Sequence, residues 1–164
     1  MKQLSYFFKT DEHVSGLIAR ITMAIVILPH ALQMIFGWFG GYGFGSTMNY
    51  LTQVEQLPWL VGVMVIMLQS VGTLLLLFGF MGRFFAASMI ILFIGMIVTS
   101  HAHHGFFMNW YGKQEGEGFE YHLLVIGLAT TVLLNGSGSF SLDAMLSKVV
   151  RHRELMPGIE FSRL

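Results

Sequence analysis

A chain of 164 residues that is 54% hydrophobic and 11% charged, with a mean hydropathy of +0.66, carries less than half of the roughly 25% charge typical of soluble domains. It cannot cover its apolar mass with a charged surface, and it is far too hydrophobic for a disordered chain. Nine Lys and Arg balance nine Asp and Glu, so bulk charge gives no reason to expect nucleic acid, and the absence of cysteine excludes disulfides, thiolate nucleophiles, thiolate-bound zinc, iron–sulfur clusters and covalently attached haem.

Residues 1–20 are too polar to span and read as a cytoplasmic N-terminal segment. A span needs about 20 apolar residues. The first candidate is 21–38 (ITMAIVILPHALQMIFGW), with no small-residue cleavage pattern behind it, so it reads as retained. The connection 39–58 opens on GGYGFGS among aromatics and predicts a re-entrant Gly/aromatic loop or a short interfacial helix over 48–57. The second span is 59–80; the three-residue turn Met81, Gly82, Arg83 then makes the third, 84–100, its antiparallel neighbour. A polar connection follows, and 121–134 is a short fourth span. Residues 21–145 form one transmembrane domain, and 146–164 a basic cytoplasmic tail.

Basic residues accumulate on the cytoplasmic side. Four spans put Lys2, Lys9, Arg20, Arg83, Lys148, Arg151, Arg153 and Arg163 on one side and Lys113 alone on the other. The expected fold is therefore an all-α membrane protein, a four-transmembrane-helix bundle with both termini cytoplasmic. Arg20 or Arg83 can pair with Asp143 on that side, as a structural contact.

Ionisable groups at membrane depth are costly and mark candidate sites. His30 in the first span, His101 at the end of the third, and Glu120 and His122 at the start of the fourth all fall in the outer half of the bundle. They are the candidate catalytic set, as a proton relay or as polar contacts to a ligand. Gln69, Trp38, Phe106, Phe107 and Trp110 are candidates for a quinone pocket, with rings to stack and an amide to hydrogen-bond. His101 and His104 share a face if the helix continues, and with His122 they form a candidate metal set. Quinone is favoured over haem, copper or zinc, because no diagnostic ligand spacing is present. The plainer readings are structural hydrogen bonding for His30 and Gln69 and an interfacial role for His103 and His104.

The stretches His30-Ala-Leu-Gln-Met-Ile-Phe-Gly-Trp-Phe-Gly-Gly-Tyr-Gly, Gly79-Phe-Met-Gly-Arg83, His101 followed by Gly105-Phe-Phe, Gly118-Phe-Glu120-Tyr and Gly136-Ser-Gly-Ser-Phe-Ser-Leu-Asp143 together resemble the DoxX family of small four-helix bacterial membrane proteins, over roughly residues 17–145. The resemblance implies the bacterial cytoplasmic (inner) membrane and a redox association, since the name is shared with subunits of a thiosulfate:quinone oxidoreductase. The resemblance implies Glu where Gln69 stands and Lys where Met34 stands in many relatives, so a proton-carrying or ion-pair role for those positions does not carry over, although the amide of Gln69 can still hydrogen-bond.

The leading expectation is a membrane subunit of a quinone-linked or oxidative-stress assembly, with lipids, redox-enzyme subunits and further copies of itself as partners. A small transporter and a non-catalytic assembly or docking factor are the alternatives. Whether the chain is itself an enzyme, as a subunit of a membrane oxidoreductase, is left open.

Overall fold

The structure is a computed structural model that describes residues 10 and 13–155, with side chains to residue 149. Among the described residues it is entirely helical. Helix α1, Val14–Phe36, begins seven residues before the apolar run does. Its polar first turns are helical because they are packed: Gly16, Ala19 and Arg20 are buried, and a Cβ on Gly16 would stand 2.7 Å from the Gly136 carbonyl oxygen. The helix runs on through Pro29, which leaves the carbonyl four residues back without its helical donor. Gly37, in the left-handed conformation at φ 72°, ends it, as glycine does at low cost.

A single 3-10 turn, Trp38–Gly40, leads to the short helix α2, Gly43–Asn49, which continues as a π-helical turn, Tyr50–Val54. The interfacial helix expected over 48–57 therefore starts earlier and ends sooner. Helix α3 is Trp59–Leu77 and α4 is Gly82–His104. Each contains a π-helical turn, Leu68–Gly72 in α3 and Ile97–His101 in α4, and α4 closes with a 3-10 turn, Ala102–His104. With α1, these are the three helices among the described residues that are long and apolar enough to cross a membrane. Helix α5, Glu120–Asn135, is apolar but has 16 residues, or about 24 Å against about 30 Å of hydrocarbon. Helix α6, Leu142–Leu155, follows, so much of what reads as a basic tail is helical. The rest of that tail, like Lys2, Lys9 and Arg163, lies outside the described residues.

Helices α1, α3, α4 and α5 pack as a ring in which α1 touches α3 and α5, and α4 touches the same two. Met23 and Ile27 of α1, Leu76 of α3, Met89 and Phe93 of α4 and Val125, Ala129 and Val132 of α5 fill its centre. Small residues on the facing surfaces (Ala19, Ala86, Ala129) let the helices approach closely.

One end of the bundle is tied by a polar knot. Arg20 is fully buried and donates to the carbonyls of Leu77, Ser139 and Phe140. The Asp143 carboxylate accepts from the Met81 and Gly82 amides at 2.8 Å each and from the Ser137 hydroxyl at 2.6 Å. Asp143 also acts on Arg20 electrostatically, and Arg83 donates to the Leu133 carbonyl at 2.7 Å. The expected Arg20–Asp143 relation thus has backbone groups as its main partners: five helix ends meet here, and their orphan amides and carbonyls need donors and acceptors.

Candidate functional site

The opposite half of the bundle holds a cavity of about 1030 Å³. Helices α1 and α4 lie on opposite corners of the ring, and here the space between them opens, with α2 laid across it. The lining is mostly apolar: Met34, Leu51, Val61, Met64, Val65, Leu68, Ile91, Leu92 and Met96. Polar side chains interrupt it, among them Gln33, Tyr50, Gln69, Ser88, Thr99, Ser100, His101 and His104.

All three π-helical turns face this space. Tyr50 and Leu51 come from the first, Leu68 and Gln69 from the second, and Thr99, Ser100 and His101 from the third. A π turn inserts a residue into an α-helix and shifts the phase of the residues beyond it, and such turns recur at functional sites. Here the insertions aim polar side chains inward without changing the apolar outer faces of the spans. Gln69 is 6% exposed.

Helix α2 is held over the cavity by side chains. Thr47 Oγ1 donates to the Met34 carbonyl at 3.3 Å, and Met48 packs on Gly62 of α3. The Glu55 carboxylate joins two walls: Tyr50 Oη donates to it at 2.5 Å and Ser100 Oγ at 2.7 Å. Accepting the Tyr50 proton pushes the phenol up to about 12, with burial and the carboxylate charge adding to the effect. Gln33 donates to the Phe39 carbonyl at 3.2 Å and accepts from His30 Nδ1 at 3.2 Å.

Of the expected catalytic set, only His101 lines the cavity. Its Nδ1 lies 2.8 Å from the Glu117 carbonyl oxygen. A carbonyl only accepts, so Nδ1 carries the proton and Nε2 is the lone-pair nitrogen. His122 sits directly behind, its ring centroid 4.1 Å from that of His101. It is 3% exposed, and neither ring nitrogen has a hydrogen-bond partner. His30 is exposed on α1 and reaches the cavity only through Gln33. Glu120 turns away to the loop, accepting from the Met108 amide at 3.0 Å and Trp110 Nε1 at 2.8 Å. The one pocket expected to gather all four is therefore a cavity wall with one imidazole in it and another behind.

The aromatic candidates are displaced as a group. Gln69 is in the cavity, but Trp38, Phe106, Phe107 and Trp110 are exposed and do not line it. Loop geometry accounts for this. Trp38 packs on Phe36, and Phe106 meets Phe107 and Phe119 edge-on. His101 and His104 share the cavity face as the spacing suggests, yet the metal set does not form. The π and 3-10 turns carry His104 onto His103, with ring centroids 3.9 Å apart, while His122 stays behind His101. Among the described residues no three His, Cys, Asp or Glu side chains form a group that could hold a metal ion.

Tyr50, Glu55 and Ser100 carry no motif, and sequence reasoning alone does not single them out. Their only signal is that Glu55 stands in a connection otherwise without charge. No curated protein and no solved structure matches the chain. A family model, DoxX, matches residues 15–102, from the second residue of α1 to the last turn of α4, and so includes the cavity lining except His104. This chain belongs to the DoxX family.

Proposed function

We propose that this protein is an integral membrane subunit of a redox assembly, and that it holds a quinone-like ligand in the cavity between α1, α2, α3 and α4. The observation that carries this reading is the cavity: about 1030 Å³ of mostly apolar wall interrupted by polar side chains. Its size is at the upper end of the roughly 300–1,000 Å³ of small-molecule sites. A quinone asks for an apolar slot for its tail and a hydrogen-bonding group beside each oxygen. The buried amide of Gln69 donates to a carbonyl oxygen, and His101 Nε2 accepts from the hydroxyl of the reduced form. An amide does not titrate, so Gln69 serves as a hydrogen-bond partner only. Membership of a family whose name is shared with subunits of a quinone-linked oxidoreductase supports the redox setting.

In the same reading α5 is the short fourth span, both termini are cytoplasmic, and the cavity lies in the outer half of a bacterial cytoplasmic membrane. The distribution of basic residues supports that direction.

The test is to purify the protein in mild detergent, extract and identify bound quinones, and titrate the stripped protein with a short-chain quinone. Saturable binding near one per chain is expected. The change Gln69→Leu should weaken it about tenfold, the equivalent of one net hydrogen bond of about 1.4 kcal/mol. No quinone in the extract together with no saturable binding would overturn the proposal.

A further inference from the structure

The far end of the molecule, beyond the buried Arg20–Asp143 knot, carries a surface that the cavity does not use. Helix α6 leaves an apolar stripe open: Leu142, Met145, Leu146 and Val149 are 42%, 65%, 38% and 54% exposed. Their spacing of i, i+3, i+4 and i+7 is that of one helix face. Phe140, just before the helix, is 90% exposed and held at a positive φ of 52°, with its carbonyl accepting from Arg20 at 2.6 Å.

The root of this helix is fixed in depth. The Leu142 amide donates to the Phe78 carbonyl at 3.1 Å and the Asp143 amide to the Gly79 carbonyl at 2.9 Å. The Asp143 carboxylate is bound to the first amides of α4. The first turn of α6 is thereby level with the ends of α3 and α4, where Phe78 and Phe84 are open on the apolar outer face. The stripe continues that belt past the ends of the spans. In sequence, α6 carries the basic residues Lys148, Arg151 and Arg153 against the acids Asp143 and Glu154.

We propose that α6 is a membrane-surface helix, its stripe and Phe140 seated in the interface of the adjoining leaflet, with the net basic sequence of the helix favouring anionic phospholipid. An apolar face with a basic remainder is the pattern of helices that lie in the interface plane. Each Lys or Arg near an anionic surface adds to the attraction. A lipid surface fits better than a soluble partner, because the root is pinned at the level where the lipid-facing belt ends.

The chain has no cysteine, so single probes can be placed in the full-length protein at Met145→Cys, Val149→Cys and Ser147→Cys. The labelled protein is reconstituted in vesicles of phosphatidylcholine alone and of phosphatidylcholine with phosphatidylglycerol. At positions 145 and 149 the label should shift to the blue and be quenched by lipid-borne nitroxide several-fold more than at 147. Phosphatidylglycerol should deepen the contrast, and Arg151→Gln with Arg153→Gln should remove that dependence. Equal quenching at the three positions would overturn the proposal. So would protection that appears only at high protein-to-lipid ratio, which marks a second copy, or only on adding a soluble protein.

Discussion

At the scale of single residues, two carboxylates organise opposite ends of the molecule. Asp143 satisfies two backbone amides and a hydroxyl within 2.8 Å, all at a buried site. Removing it leaves those donors without an acceptor, and a hydrogen bond to a charged group is worth about 1.5–3 kcal/mol. Asp143→Ala should therefore lower stability by about 3 kcal/mol, read from thermal unfolding in detergent, and Asp143→Asn by less. Glu55 does comparable work at the cavity, where it accepts from Tyr50 and Ser100. The Tyr50 phenol is raised from 10.0 to about 12. A raised folded value means that the proton is held more tightly in the folded state. The contribution of the Tyr50–Glu55 bond is therefore complete below pH 10 and lost as pH rises through about 12. Tyrosinate absorbance should show this raised titration, and Glu55→Gln should bring it back down. Asp143 was legible in sequence as a candidate partner for arginine, because a lone acid after a glycine-rich exit invites one. Its amide partners were not, since they are defined by where helix ends meet. Tyr50, Glu55 and Ser100 were illegible for a related reason: they come together from separate elements and have no spacing signature.

At the scale of elements, the spans were legible and their internal irregularities were not. Runs of about 20 apolar residues locate α1, α3 and α4, and the short connection between the second and third spans required the hairpin that is observed, although the turn is residues 78–81 rather than 81–83, since Gly82 and Arg83 already belong to α4. Periodicity fails at the π turns, because one inserted residue moves the phase by about 100° without changing composition. The turns at the end of α4 also bring His104 against His103, ring centroids 3.9 Å apart, a contact that α-helical spacing does not foretell. Deleting Val71, which lies in the Leu68–Gly72 turn and is open to the outer face, should restore regular α-helix. The protein should stay folded by circular dichroism, while Gln69 leaves the cavity and quinone affinity falls as far as in Gln69→Leu. An unchanged affinity would show that the π turn does not position the amide. The tight turn is sensitive in another way: a Cβ on Gly82 would overlap the Ser137 hydroxyl oxygen. Gly82→Ala should therefore destabilise by about 2 kcal/mol, with the same measurement as for Asp143→Ala.

At the scale of the whole molecule, a chain with no net charge is built as two unlike ends. One is a basic, hydrogen-bonded knot of helix termini where α6 is rooted. The other is an open cavity under α2, with His101 and His104 in its wall. The composition led to a membrane protein at once, and a close four-helix ring is how these helices bury their small-residue faces. Sidedness is checked by impermeant thiol labelling of intact cells carrying Lys113→Cys or Lys148→Cys: the first should react and the second should not. The central claim is that the cavity is a quinone site, and photo-crosslinking addresses it most directly. A short-chain quinone bearing a photoreactive group should label α3 and α4 at cavity-lining residues such as Leu68, Gln69, Met96 and Thr99, and excess unmodified quinone should suppress that labelling. Labelling confined to outward-facing positions such as Ile25 and Leu124, insensitive to competitor, would contradict it.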